Sequence, residues 1–185
     1  MVPLTSLWLP IVLSAVIVFL ASFVTHMVLT YHWTDFRKLP AEDEVMEALR
    51  RFKLPEGDFM VPHPQNAAAM KSKEFQEKLA RGPVFIATVF KSGQQGMGAQ
   101  LAQWFVFCLV VSLFAGYLTS RAVAAGAEYL DVSQIASTTA FIGYAMARWS
   151  DVIWYRRSVP AALKATFDGL LYGLLTGGAF GWLWP

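Results

Sequence analysis

The sequence predicts an all-α polytopic membrane protein, with four transmembrane helices and a small cytoplasmic α+β domain between the first and the second. Two observations support this fold class. Of the 185 residues, 56% are hydrophobic and 15% are charged, and residues 1–34 and 92–120 contain no Asp, Glu, Lys or Arg. Uncharged runs of this length match the roughly 20 apolar residues that a helix needs to cross a bilayer. A surface helix of a soluble domain would instead carry a polar stripe.

The first predicted span is Leu7–Tyr31, whose apolar run exceeds the hydrophobic region of a cleaved signal peptide, so we interpret it as a retained helix. The second is Gln100–Ala124. The third, Asp131–Trp149, is short and rich in Ser and Thr. The fourth is Pro160–Trp184, in which Pro160 suits a first helical position.

These spans divide the chain into a first transmembrane helix over residues 1–32, a cytoplasmic domain over residues 33–96, and transmembrane helices 2–4 over residues 97–185. The glycine-rich stretch at residues 93–98 leads into the second span. Its spacing matches no nucleotide-binding loop, and we interpret it as a hinge.

The polar domain has its own pattern. A helix with acids from Glu42 in its first turn and bases from Arg50 in its last suits the helix dipole. The pattern then predicts an extended segment over Asp58–Val61, a helix over Ala67–Arg81 and a strand over Pro83–Lys91. Because that strand is apolar on nearly both faces and two strands are not stable alone in water, we expect it to pack or to pair with a partner.

The basic residues predict the orientation. The segment 31–99 contains ten of the fifteen Lys and Arg residues, and the connection between the third and fourth spans with its flanks contains four more. Because basic loops stay in the cytoplasm, both termini are expected outside and residues 33–96 inside. The compact chain and its short loops are typical of a bacterial inner-membrane protein. Four residues are predicted to contact lipid headgroups: Arg121, Arg156, Arg157 and Trp154.

A glycine ladder marks the fourth span. Its members recur every four residues: Gly169, Gly173, Gly177 and Gly181. Glycines at this spacing allow the backbone of another helix to approach closely. The neighbouring helix is either one of this chain's own spans or belongs to a second protomer or another subunit.

Asp168 lies beside this ladder, at a depth where an ionisable residue is costly and usually has a role. The third span offers Tyr144 and Arg148 at similar depth. We therefore predict a buried network of Asp168, Arg148, Tyr144 and Tyr172, with Lys164 as another possible partner of the acid. Such a network either fixes the helix register or takes part in proton or ion movement.

Several site types are not indicated. The only cysteine is Cys108, which excludes an intrachain disulfide and a cysteine metal cluster. His26 and His32 are six residues apart, which would place them on different faces of a helix, and His63 lies far away in the sequence. We therefore expect no metal site and no cofactor. No catalytic constellation is visible, and the net charge of +2 does not indicate nucleic-acid binding.

The function favoured by these patterns is non-enzymatic: an accessory or scaffold subunit of a larger membrane complex, or a homo-oligomer. Its partners would be membrane lipids and other membrane subunits or itself. One alternative is a small transporter or channel with Asp168 in a polar path. Another is a lipid-acting enzyme at the inner leaflet, with Arg156 and Arg157 holding a headgroup, although the sequence offers no nucleophile for it.

Overall fold

The computed structural model describes residues 2–93 and 96–185, which form two compact units. The larger unit combines the residues up to 37 with residues 96–185, and the smaller unit spans residues 38–95. The middle of the predicted hinge, Gln94 and Gln95, lies outside the described residues. The regular elements are, in chain order, α1 Trp8–Phe23, α2 Glu42–Arg50, β1 Gly57–Val61, α3 Ala67–Met70, α4 Lys73–Arg81, β2 Phe85–Val89, α5 Gly98–Ala122, α6 Tyr129–Phe141, α7 Arg148–Tyr155 and α8 Val159–Trp182.

The chain is mostly helical with a small two-stranded sheet, as predicted. Among the described residues, two helical segments are long and apolar enough to cross a membrane: Leu4–Val28, with a mean hydropathy of 2.6, and Gly98–Ala122, with 2.0. Two such helices are weak evidence for membrane insertion. The third and fourth predicted spans are not among these two: α6 is only 13 residues long, and α8, at 24 residues, is long enough but not apolar enough.

The first predicted span is not a continuous α-helix. After α1 the chain forms a π-helical turn at Val24–Val28, an extended residue at Leu29 and a 3-10 turn at Thr30–Thr34. The local sequence explains this end. Its β-branched residues restrict side-chain freedom in a helix, and the hydroxyls of Ser22 and Thr25 bond to carbonyl oxygens three residues earlier, a pattern that bends helices.

The third predicted span is interrupted in a similar way. A π-helical turn at Ile142–Met146 follows α6, and α7 then runs to Tyr155. Arg156 adopts a left-handed conformation with φ of 52° and ends that helix. The Ser158 hydroxyl accepts a hydrogen bond from the backbone N–H of Ala161, which caps the start of α8.

The glycine-bearing face of α8 packs against α6 and the π-helical turn after it. A Cβ atom built on Gly169 would lie 2.7 Å from the Ala145 Cβ, and one built on Gly173 would lie 2.8 Å from the Ser137 carbonyl oxygen. The remaining two glycines approach α6 at Ser133, opposite Gly177, and at Tyr129, opposite Gly181. The neighbouring helix is therefore part of the same chain, and this face is covered rather than open to a second protomer.

The larger unit has two buried apolar clusters. The first joins α5, α6 and α8 with the N-terminal segment and contains Val2, Leu7, Ala115, Val132, Ala136 and Phe180. The second lies between α1, α5 and α8 and contains Ala15, Val18, Cys108 and Tyr172. A hydrogen bond of 3.0 Å between the Ser14 and Ser112 hydroxyls also joins α1 to α5. These contacts bring the C-terminal part of α1 close to the N-terminal half of α8.

In the smaller unit, β1 and β2 pair in antiparallel fashion, from Gly57 opposite Val89 to Val61 opposite Phe85. The helix predicted over Ala67–Arg81 is divided into α3 and α4, because the Ser72 side chain caps α4 by accepting a hydrogen bond from the Phe75 N–H. Met46 and Leu49 of α2 are exposed, and so is Phe52, which follows the helix on the same side.

We predict that Gly173→Ala destabilises the protein whereas Gly178→Ala does not. A methyl group at position 173 meets a backbone oxygen, and overpacking of this kind costs about 1–3 kcal/mol. At position 178 the nearest atom, the Tyr129 hydroxyl oxygen, would be 3.6 Å away, an ordinary contact. Both substitutions change helix propensity by the same amount. The difference between the two free energies of unfolding, measured in detergent, therefore reports the cost of packing at position 173. Equal stability of the two variants would contradict close packing at Gly173.

Candidate functional site

Asp168 is the centre of a polar cluster although it is only 3% exposed. One carboxylate oxygen, Oδ1, accepts a hydrogen bond from the Tyr31 hydroxyl, and the other, Oδ2, lies 2.7 Å from Nε2 of His32. Both partners belong to the 3-10 turn Thr30–Thr34. Because a buried carboxylate without partners is very costly, these two contacts hold the turn against α8.

A second ion pair lies one helical turn away on α8. Nζ of Lys164 is 2.8 Å from Oδ1 of Asp35, and it also donates to the Tyr31 carbonyl oxygen at 2.5 Å. Nδ1 of His32 lies 2.7 Å from the other oxygen of Asp35. His32 therefore connects the two carboxylates. We call the five residues Tyr31, His32, Asp35, Lys164 and Asp168 the Asp168 cluster.

The charge of Asp35 follows from these contacts. Burial raises the pKa of the Asp35 carboxyl, but the hydrogen bonds from Lys164 and His32 outweigh it and hold that pKa below its ordinary value. Asp35 is thus ionised at neutral pH. It accepts hydrogen bonds from both partners, which makes Nδ1 of His32 the protonated nitrogen.

Thr25 forms hydrogen bonds to two residues next to the Asp168 cluster. Its hydroxyl oxygen lies 2.6 Å from the Tyr172 hydroxyl and 2.9 Å from Nδ1 of His26. The indole N–H of Trp104 donates to the Ser22 hydroxyl at 2.7 Å. Hydrogen bonds therefore join the end of α1 to α5, and the π-helical turn after α1 to α8.

The predicted pairing of Asp168 with Arg148 needs correction. Arg148 is exposed, and no ion pair in the described part of the chain joins it to Asp168, whose partners are Tyr31 and His32. The prediction assumed that one α-helical face continues through the third span. The π-helical turn at Ile142–Met146 widens the helix there and changes the direction of the residues that follow it.

The other two predicted members of the network lie nearby. Tyr172 is buried and bonds to Thr25, as described above, rather than to the acid. The Tyr144 ring packs edge-on against Tyr172, with 5.6 Å between ring centroids. The Tyr144 hydroxyl is buried and has no hydrogen-bond partner within the described residues. It therefore contributes packing rather than a bond to Asp168.

The expectation that His26 and His32 lie on different helix faces is wrong. Their rings stack, with 4.2 Å between centroids and 10° between planes, because the chain between them is not α-helical and Leu29 is extended. A ring nitrogen of each histidine and a carboxylate oxygen of Asp168 all lie within 4.8 Å of one another. Tyr31, His32 and Asp35 were not predicted as members of this site. Their signal was the dense run of polar residues directly after the first apolar segment.

The predicted headgroup residues are separate from the Asp168 cluster. The Arg121 guanidinium lies 5.9 Å from the centre of the Tyr117 ring. Arg156 and Arg157 are exposed at the end of α7, and the neighbouring Trp154 is 78% exposed. Contact of these residues with lipid stays a prediction.

No protein-family model, no curated protein and no solved structure matches this chain. We therefore base the functional proposal on the chemistry of the Asp168 cluster. Two carboxylates and one imidazole beside a lysine, with the His26 ring stacked on that imidazole, can bind, exchange or relay a cation.

We predict that Tyr31→Phe lowers the free energy of unfolding by about 1–3 kcal/mol, because it leaves one oxygen of a buried carboxylate without its hydrogen bond. The matched control is Tyr155→Phe, at a side chain that is 54% exposed, for which we expect a change within about 0.5 kcal/mol. Thermal or denaturant unfolding in detergent measures both. If the two substitutions have the same effect, the Tyr31 bond to Asp168 contributes nothing to stability.

Proposed function

We propose that this protein is a small integral membrane transporter or channel, in which a cation passes the Asp168 cluster. The observation that carries the proposal is the burial of Asp168, with both of its oxygens bonded to the 3-10 turn Thr30–Thr34. Ionisable residues within apolar helices are costly, and they are typical of ion pathways and binding sites.

Irregular backbone near the cluster supports the same function. π-Helical turns occur at Val24–Val28 and Ile142–Met146, and both contribute residues close to Asp168 or Tyr172. Such turns are frequent at functional sites. Interrupted helices also form the substrate sites of many transporters, because their free backbone groups and side chains bind the ion.

The proposal includes four transmembrane spans, with both termini outside and residues 33–96 in the cytoplasm of a bacterial inner membrane. α8 supports it in two ways. Its 24 residues extend about 36 Å, enough for a hydrocarbon core of about 30 Å. Large apolar side chains also form an exposed stripe along one side of it, away from the glycine face. This stripe comprises Val159, Leu163, Phe167, Leu170 and Leu174. Soluble monomers rarely expose a continuous apolar stripe of this kind.

We predict that single cysteines at Met70→Cys and Tyr155→Cys, in a Cys108→Ser background, react with a membrane-impermeant maleimide from the same side of the membrane. In the proposed topology two spans lie between positions 70 and 155, so both positions are on the same side. An odd number of spans between them would place them on opposite sides. Thr5→Cys serves as the control and should react from the opposite side. Labelling of positions 70 and 155 from opposite sides would refute the four-span topology.

We predict that the purified protein in liposomes carries a cation flux and that Asp168→Asn reduces this flux to background. The amide removes the negative charge but keeps the size of the side chain. Fluorescent indicators for Zn²⁺ and K⁺ inside the vesicles report the flux. Asp131→Asn, at an exposed acid in the first turn of α6, is the matched control and should transport normally. A variant that elutes as wild type in gel filtration yet retains full flux would contradict the proposal.

An accessory or scaffold subunit is the second candidate, favoured by the apolar face of α2. Met46 is 50% exposed and Phe52 is 69% exposed, so residues of the smaller unit do not cover this face. In this case another membrane subunit would cover it. The two functions differ in reconstitution: an accessory subunit shows no flux alone, and it co-purifies with its partner from native membranes in mild detergent.

A further inference from the structure

His26, His32 and Asp168 have the geometry of a metal-binding site. They come from the π-helical turn, the 3-10 turn and α8, and one ligand atom from each lies within 4.8 Å of the others. Two imidazoles and one carboxylate are a common ligand set for Zn²⁺ and for other divalent transition metals. The fourth position would be taken by water or by an exchanging ligand.

Each imidazole has hydrogen-bond partners at Nδ1. Nδ1 of His32 lies 2.7 Å from a carboxylate oxygen of Asp35, and Nδ1 of His26 lies 2.9 Å from the Thr25 hydroxyl oxygen and 3.2 Å from the Ser22 carbonyl oxygen. A proton on Nδ1 satisfies the carboxylate and the carbonyl, which only accept, and in that tautomer Nε2 is the ligand atom. Histidines that bind metals usually donate their other ring N–H to a carboxylate or a backbone carbonyl, which fixes the tautomer and the ring orientation.

The carboxylate is oriented in the same way. The Tyr31 hydroxyl bonds to Oδ1 of Asp168, while Oδ2 faces Nε2 of His32 at 2.7 Å. Two atoms that both accept hydrogen bonds do not stay this close without a positive charge between or beside them. Either a proton on Nε2 or a metal ion supplies that charge, and a metal at about 2.0–2.1 Å from each ligand requires only a small spreading of the pair.

The charges favour a cation at this point. Lys164 lies against Asp35, at 2.8 Å, and it therefore neutralises that carboxylate rather than Asp168. The partners of the Asp168 carboxylate are then the Tyr31 hydroxyl and the His32 imidazole. His26 is exposed and lies close to the end of the apolar segment Leu4–Val28.

We propose that His26, His32 and Asp168 bind a divalent transition-metal ion of the Zn²⁺ type, with Asp35 and Tyr31 as positioning residues. This inference rests on the proposed transport function and names the class of its substrate. Metal binding by itself can nevertheless be measured without transport.

The test uses the full-length protein in detergent, purified with a tag that contains no histidine. The protein is titrated with Zn²⁺ in competition with a chromophoric chelator. We expect one Zn²⁺ per chain. His26→Ala should abolish this binding and leave the fold intact, because the side chain is exposed and its hydrogen bonds are local. His63→Ala, at the third histidine of the chain, is the matched control and should bind as wild type. Asp35→Asn should weaken binding about 10–100-fold, as expected for an outer partner of a ligating histidine.

Co²⁺ gives a second readout: visible absorption bands of a four-coordinate site, present in the wild type and lost in His26→Ala. If the wild-type protein binds no Zn²⁺, or if His26→Ala binds it as well as the wild type, the metal site is overturned. The charge between the two groups is then a proton on His32. Zn²⁺ binding without vesicle flux supports the site and refutes transport. Flux of K⁺ without any binding of Zn²⁺ supports transport and overturns the metal site.

Discussion

The burial of one carboxylate constrains the larger unit of this protein. Asp168 lies in an apolar helix, where an uncompensated charge would be prohibitively costly, and the chain after α1 supplies its partners. To do so, the first helix must end at Phe23 and pass through a π-helical turn and an extended residue. The irregular segment is therefore stabilised by the acid, and the acid is stabilised by the irregular segment.

α8 carries three different surfaces on one helix. Its glycines allow the backbone to lie directly against α6, so that this contact needs no large side chains. Lys164, Asp168 and Tyr172 face the segment after α1. Its large apolar residues remain exposed. This division links packing to function, because close contact with α6 fixes the rotation of α8 and thereby directs Asp168 towards His32.

His32 is the residue that joins the two carboxylates of the cluster. Its two ring nitrogens face two different carboxylates, one of which is already neutralised by Lys164. A purely structural cluster would be satisfied by a proton on this ring. The nearby His26, stacked on His32 with its own Nδ1 bonded to a backbone carbonyl, adds a second nitrogen donor that a simple ion pair does not need. This additional donor is the feature that favours cation binding over register fixing alone.

Local sequence was enough to predict where most of the helices lie, the two extended segments of the smaller unit and the glycine face of α8. These features depend on composition and on spacing within one segment: uncharged runs form long helices, and glycines four residues apart fall on one face. The partners of Asp168 were not predictable in this way. Extrapolating regular helices pointed to Arg148 and separated His26 from His32, whereas hydroxyl groups and β-branched residues interrupt both helices. Only the tertiary structure, which packs α1 and α6 against α8, determines that the acid meets Tyr31 and His32, because those contacts join residues more than 130 positions apart.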